Sequence, residues 1–433
     1  MLLIYSPESS NRLEYIFELI FRDILGVDMQ ITASRESYLD YNGPRICYGK
    51  ITLREEVNIK CVDFLFEKGV NSQNLEYFEW EGLPCIFKTY GDSVLPFDLF
   101  AASFYLVSRY EEYLPFTNDQ FGRFSANQSI AWQRGFLEKP LINIWTEKLK
   151  EILMHYFPAL NFKKRHYKFI PTYDIDSAYA YRHKGVIRTL GGYYKSLKDK
   201  DYEGVRSRTR VLLNREKDPF DTFELLKKYQ EQYKSKAKYF FLVGDYDEFD
   251  KNISIDVQNF QKLIKSISDY AEVGIHPSYA SNKDFDKLKL ELKNLSSLIN
   301  REIKISRQHF LKLAFPKTYQ RLLELEIEED YTMGYASDVG FRASICTPFY
   351  FYDLDYERKT KLKVFPFAIM DVSLRFYLNL DVEAAIQRSK EIIDEVKKVN
   401  GTMITLWHNQ NLTDDQEWEG WKQVYEAILN YAS

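Results

Sequence analysis

The stretch Lys168-Phe169-Ile170-Pro171-Thr172-Tyr173-Asp174-Ile175-Asp176 (KFIPTYDID) decides how the chain is read. Apolar residues run through it without a helical period, which predicts a buried strand, and it ends in two carboxylates two positions apart. On an extended strand residues i and i+2 face the same side, so Asp174 and Asp176 point together. Two carboxylates that close repel unless a cation or a shared proton removes the clash. A bound metal would do so, leaving one carboxylate as ligand and the other as base.

Downstream of this strand the pattern repeats. Strands are expected at 238–244, 272–276, 302–309, 363–371 and 402–408. Helices are expected between them: from about 218 after an exposed charged segment, over 257–271, on a stripe of Leu288, Leu292, Leu295 and Ile299, over 316–327, over 382–399 with Gly401 ending it, and last from about Asp414 to Tyr431. Asp221 with Glu224, and Thr413 with Gln416, are spaced as capping boxes for two of these helices. Repeated βα alternation argues a mostly parallel sheet, and this many units suggest a closed or nearly closed β/α barrel. No GxxxxGK or GxGxxG loop accompanies it, so a dinucleotide or nucleotide-phosphate cradle is not expected.

Polar residues gather at the predicted strand ends. The chain has six histidines. His276, His309 and His408 fall at or near the ends of separate strands, and Asp371 ends another. In a β/α barrel these ends converge on one face, where active sites form. Imidazoles and carboxylates meeting there suit a divalent metal or an acid–base pair.

Upstream, residues 1–165 read as a smaller α+β unit, with a strand over Leu2–Tyr5, an apolar helical stripe at Leu13, Ile16, Phe17 and Ile20, and helices over 97–113 and 141–156. Strand-like pieces lie near Ile51, over 61–66 and over 84–89. At 433 residues, two domains, 1–165 and 166–433, are the natural division. Arg109, Glu111 and Glu112 read as charges on a solvated helix face.

Net charge is −4 and the pI near 6.0, with no basic block, so nucleic acid is not an expected partner. Aromatic residues make up 16%, which fits either a well-filled core or rings lining a sugar cleft. Four cysteines without CxxC spacing suggest neither a disulfide framework nor a zinc knuckle. The first residues make a poor signal peptide and no apolar run is long enough to span a bilayer, so a cytoplasmic protein without membrane insertion is expected.

TYDID, the strand-end HPS (276–278) and the late LWH (406–408), in that order, resemble the NodB-homology polysaccharide deacetylases, carbohydrate esterase family 4. SRYEEY (108–113) resembles an uncharacterised domain found ahead of such barrels in some bacterial proteins. The resemblance implies a distorted (β/α) barrel over 166–433, a carbohydrate substrate, and removal of acetyl groups from N-acetylated sugars, or hydrolysis of a related C–N bond, with a divalent metal, zinc being the expected one. It implies Asp174 as catalytic base, Asp176 and His276 as metal ligands, Arg307 as the residue orienting the base, and His408 as general acid held by an acidic residue such as Asp371. Asp330, Tyr335 and Arg342 correspond to a substrate-side loop. The family's second motif histidine falls on Ala280, which cannot bind metal. His309 stands two residues beyond Arg307, on the same side of the expected strand, and is the available replacement. The alternative is a lapsed relative that binds carbohydrate or acts as a scaffold. The residues do not name protein partners.

Overall fold

The computed structural model describes residues 1–54, 57–413 and 416–433. The N-terminal part holds a sheet of four strands, β1 (Leu2–Tyr5), β2 (Met29–Thr32), β3 (Arg45–Tyr48) and β4 (Val57–Ile59), in the order β2-β1-β3-β4. Every pairing in this sheet is parallel, with helices following β1 and β2. A two-stranded hairpin, β5 (Phe78–Trp80) and β6 (Leu83–Cys85), follows. The helix over Leu99–Val107 stops at Ser108 because Arg109 adopts a left-handed φ of 56°, and a 3-10 turn then carries Tyr110–Tyr113. The segments near Ile51 and over 61–66 expected as strands form loop and a 3-10 turn.

The second sheet has nine strands: β7 (Lys168–Ile175), β8 (Lys238–Phe241), β9 (Glu272–Ile275), β10 (Ile305–Ser306), β11 (Glu329–Asp330), β12 (Phe349–Asp353), β13 (Arg358–Val364), β14 (Ile369–Met370) and β15 (Thr402–His408). Their order is β12-β13-β11-β10-β9-β8-β7-β15-β14, parallel except for the β12–β13 hairpin. The ladder is open: among the described residues β14 pairs with β15 alone, so the closed barrel expected from the βα count is not formed by strand pairing. The link from β13 to β14 is held by backbone bonds: Phe365 N donates to the Asp330 carbonyl at 2.8 Å, Phe367 N to Met333 at 3.1 Å and Ala368 N to Ile404 at 3.1 Å.

The expected strand over 363–371 is in fact parts of two strands far apart in the sheet, β13, next to one edge, and β14, at the other. Pro366 sits at the break, where it has no N–H to give a ladder. The expected strand over 302–309 shrinks to Ile305–Ser306, and His309 lies beyond it in a 3-10 turn. The charged segment before residue 217 forms two helices, Gly185–Lys198 and Tyr202–Leu212. The next helix starts at Phe223, and no side chain caps it. Gly401 does not supply the left-handed turn after the helix Val382–Lys398; Asn400 does, with φ 48°. Gly401 is needed because a Cβ there would sit 2.2 Å from Cys346 Sγ. The second capping box and the start of the last helix include residues 414 and 415, outside the described residues; the helix itself is Trp421–Ala432.

Alternation along the strands separates two cores. Tyr173, Ile175, Tyr239, Phe241, Met403 and Trp407 join a large outer core that also takes in the N-terminal part from Leu2 to Leu160. Phe240, Ile305, Tyr331, Met370, Ile404 and Leu406 form a smaller inner cluster between the sheet edges, with Ile170 packed against it. Each inner stripe continues to the carboxyl end of its strand, and there it turns polar: Asp174, His276, Arg307 and His408. Among the described residues no helix is long and apolar enough to cross a membrane.

Candidate metal centre

Register brings these strand ends level. His408 on β15 stands opposite Asp174 on β7, Asp174 opposite Phe240, and Phe240 opposite Gly274, two residues before His276. The groups line a cavity of about 160 Å³ together with Arg123, Gln308, Phe310 and Tyr377. A larger cavity of about 920 Å³ opens at the opposite end, around the strand starts Lys168, Lys238 and Glu272, and holds none of this chemistry.

Asp176 is the centre of the cluster. His276 Nε2 lies 3.2 Å from its Oδ1, and His408 and His309 Nε2 lie 3.6 and 3.8 Å from its Oδ2. The ligand atoms of Asp176, His276 and His309 all fall within 4.8 Å of one another. In each ring the other nitrogen is committed. His276 Nδ1 is 2.6 Å from the Arg307 carbonyl oxygen, which can only accept, so Nδ1 carries the proton. His309 Nδ1 is 2.8 Å from Asp250 Oδ1, and His408 Nδ1 is 2.8 Å from Asp371 Oδ1. A neutral ring in any of the three then aims a lone pair from Nε2 at a carboxylate. That arrangement needs positive charge between the atoms, as a cation or as protons on the rings. Asp176 Oδ1 is buried and has no hydrogen-bond partner, a gap that a metal ion fits.

The charges follow the same geometry. Burial alone would raise the Asp176 pKa, but His309 and His408 outweigh it and hold the group well below the usual carboxylate range. Burial works against charged imidazoles too. Asp176 and Asp250 nevertheless lift His309 to about 9, and Asp371 and Asp176 lift His408 to about 10.

Asp174 stands beside this cluster. Its Oδ1 accepts from Arg307 Nη1 at 2.8 Å, and its Oδ2 is 3.7 Å from His276 Nε2. Arg307 is fully buried, donates Nε to the Tyr331 carbonyl at 2.9 Å and lies over the Phe240 ring. Asp371 accepts the His408 backbone N–H at 2.8 Å and Asn411 Nδ2 at 2.9 Å. Five of the expected site residues, Asp174, Asp176, His276, His309 and His408, therefore meet at one mouth, and two more, Arg307 and Asp371, are buried directly behind them.

The substrate-side residues do not join them. Asp330 is fully buried, its carboxylate bonded to Ser306, Tyr319 and Thr332, so it lies beneath the cleft. Tyr335 and Arg342 border a second cavity of about 380 Å³, which shares Arg123 and Tyr377 with the first. Their polar ends are spent: Arg342 grips Glu112 through two bonds of 2.9 and 2.5 Å, and the Tyr335 hydroxyl accepts from Arg109 at 3.0 Å. Arg109, Glu111 and Glu112 are buried, which corrects their reading as a solvated face.

Three residues of the site lay outside the sequence expectations. Asp250 orients His309, and its carboxylate also accepts the backbone N–H of Tyr279 at 2.9 Å and of Ala280 at 3.4 Å. Asn411 supports Asp371. Arg123 reaches in from the N-terminal part. Asp250 sits in a loop with no periodicity to mark it; Asn411, three residues past His408, was the one within reach of local inspection.

A family model described as a family of unknown function, DUF7033, matches residues 2–158. No curated protein matches the chain. Solved structures resemble it distantly. One, assigned to the polysaccharide deacetylases, from Mycobacterium smegmatis, is 12% identical with a TM-score of 0.41, over 63% of this chain and 87% of that one. A polysaccharide deacetylase from Bacillus cereus is 15% identical with a TM-score of 0.32, over 62% and 86%. A carbohydrate esterase family 4 pseudoenzyme from Bacillus anthracis is 10% identical with a TM-score of 0.25, over 60% of each chain. Likeness at this level says nothing of what the chain does.

Proposed function

We propose that the chain is a metal-dependent hydrolase that removes an acetyl group from an N-acetylated sugar. The observation that carries this reading is the convergence of three imidazole Nε2 atoms on Asp176, with every Nδ1 held by a fixed acceptor. Metal-binding histidines are oriented in this way. The sugar comes from the resemblance of TYDID, HPS and LWH to the NodB-homology deacetylases.

In this reading Asp176, His276 and His309 hold the metal and His309 replaces the imidazole absent at Ala280. The backbone N–H of Ala280 points to Asp250, the carboxylate that fixes His309, so the position serves the replacement. A divalent metal held there supplies Lewis acidity toward a carbonyl oxygen and acidifies water. Zinc suits two imidazoles and a carboxylate.

Asp174 accepts the proton of the attacking water. Arg307 holds its carboxylate in place at 2.8 Å. His408, charged beside Asp371, hands a proton to the departing nitrogen. A protein that only bound carbohydrate would need neither the held base nor the held acid.

The test is acetate release from N-acetylglucosamine oligomers. Zinc-loaded wild type should release acetate, and Asp174→Asn should lose about 10²–10⁴-fold in kcat while melting at the wild-type temperature. Equal rates in the two proteins would contradict the assigned base. No release from any N-acetylated sugar would favour a lapsed, binding relative.

A further inference from the structure

The turn that delivers His309 is held from outside the second sheet. His309 is followed by two residues with left-handed backbone, Phe310 (φ 58°, ψ 11°) and Leu311 (φ 54°). Neither is glycine, and side chains with a Cβ avoid this region, so the turn persists only if its surroundings hold it. Its backbone bonds are few: His309 N to the Pro277 carbonyl at 3.2 Å, Leu311 N to Gln308 at 3.0 Å and Lys312 N to His309 at 3.3 Å.

Within the second part Asp250 holds the His309 ring, the Phe249 and Tyr279 rings pack on Phe310 at 5.6 and 5.5 Å, and Asn282 donates to the Lys312 carbonyl at 2.9 Å. Further support comes from residues 119–123, within the N-terminal part. Arg123 Nη1 donates to the Phe310 carbonyl at 2.9 Å. The guanidinium is itself fixed: Nε donates to Asp119 Oδ2 at 2.7 Å, and Nη2 to the Tyr377 hydroxyl at 3.3 Å. Asp119 Oδ1 accepts the backbone N–H of Phe121 and Arg123, both at 2.9 Å, which locks the loop that carries them. The Phe121 ring packs on Phe310 at 4.9 Å, and the Phe121 carbonyl accepts from the Tyr279 hydroxyl at 3.1 Å. Phe310 in turn lies 4.6 Å from the His309 ring. One rigid loop thus grips the residue next to a metal-ligand candidate by its carbonyl and by its ring.

We propose that the N-terminal part completes the metal site: Arg123, with Phe121, is a positioning residue that sets His309 in place through Phe310. The inference rests on the reading of Asp176, His276 and His309 as the metal site. It gives the segment matched by a family of unknown function a physical role, that of a clamp on the catalytic turn. Loss of groups that orient a ligand commonly costs 10–100-fold in metal affinity. Deletion of the Arg123 head should fall in that range although it touches no ligand atom.

The test is a cobalt(II) titration of the full chain after metal removal, read by visible absorption against a competing chelator. The proteins are wild type, Arg123→Met and Arg123→Lys. Met keeps an apolar stem and loses the guanidinium that donates to Phe310 and lies over the Phe121 ring; Lys restores a cation and one donor toward the Phe310 carbonyl. Arg123→Met should bind cobalt about 10–100-fold more weakly, with a changed absorption band from a shifted His309, and Arg123→Lys should recover most of the affinity. A purely structural role for Arg123 would lower the melting temperature and leave band shape and affinity alone. Wild type that binds while Arg123→Met binds equally tightly, with the same band, overturns the inference alone. Wild type that takes up no cobalt overturns the metal-site reading and the inference with it. If Arg123→Met does not fold, Phe121→Leu, which removes the ring packed on Phe310, carries the test: reduced affinity with a changed band supports the clamp, and wild-type affinity and band refute it.

Discussion

In the proposed reaction Asp371 acts through its neighbour His408. It is fully buried, bonds both the ring and the backbone of His408, and helps raise that imidazole to about 10. A general acid must be protonated, so activity should hold through neutral pH and fall as pH rises through the His408 pKa. Asp371→Asn removes the charge that favours the imidazolium, so the basic limb of the kcat/KM profile should move to lower pH. An unmoved limb would assign it to another group. Asp250 stands to His309 as Asp371 does to His408, and Asp250→Asn should weaken zinc binding by about 10–100-fold, measured by chelator competition. At this scale the sequence was readable where side chains sit on a strand or one residue past its end: Asp174, Asp176, His276 and His408 need only period-two alternation to be placed. Asp250 was invisible because it comes from a loop 59 residues before its partner. Arg109 to Glu112 were misread because a helix-face argument assumes that the helix continues, and the left-handed φ at Arg109 ends it.

Among the elements, the strands with a full inner stripe were legible and the short ones were not. Strand β15 matches its expected bounds of 402–408. The segment 363–371 was not legible as two strands because an apolar run reads the same whether or not the chain changes its place in the sheet within it; only Pro366 hinted at a break. His309 leaves its strand for a turn, and no propensity marks Phe310 or Leu311 as left-handed. Strand β9 carries a testable constraint. A Cβ on Gly274 would sit 2.6 Å from the Phe240 ring and 2.8 Å from Ile305 Cγ1, and that ring lies under Arg307. Gly274→Ala should therefore cost about 1–3 kcal/mol in chemical denaturation. It should also lower kcat by tilting the residue that orients Asp174. A neutral effect on both would show that the inner core can yield at this point.

Over the whole molecule, the division at residue 165 was drawn on length and a change of pattern, and the structure runs one continuous apolar core across it. Buried polar ties cross it as well. Arg109 donates to the Arg342 carbonyl, Glu112 bridges Arg109 and Arg342, and Arg12 pairs with Glu357 at 2.5 Å. Thermal unfolding of the full chain should accordingly give one transition, and residues 166–433 alone should fail to fold cooperatively. Glu112→Gln leaves two buried guanidinium groups without their shared carboxylate and should cost about 3–5 kcal/mol. Burial disfavours ionised Glu112, but Arg342 and Arg109 outweigh it and lower its pKa. Its contribution to stability is therefore complete above the unfolded carboxylate pKa and is lost as pH falls through the lowered folded value. Glu112→Gln should unfold less steeply with acid than wild type, followed by circular dichroism.

The central claim is that Asp176, His276 and His309 hold a metal ion at the mouth of the second sheet, and the most direct measurement is metal content by mass spectrometry on purified wild type, His276→Ala and His309→Ala. The account predicts about one divalent ion per chain in wild type and its loss from both variants, with secondary structure unchanged. Wild type that stays free of metal after zinc or cobalt is supplied, or a His309→Ala variant that keeps its ion, would contradict it.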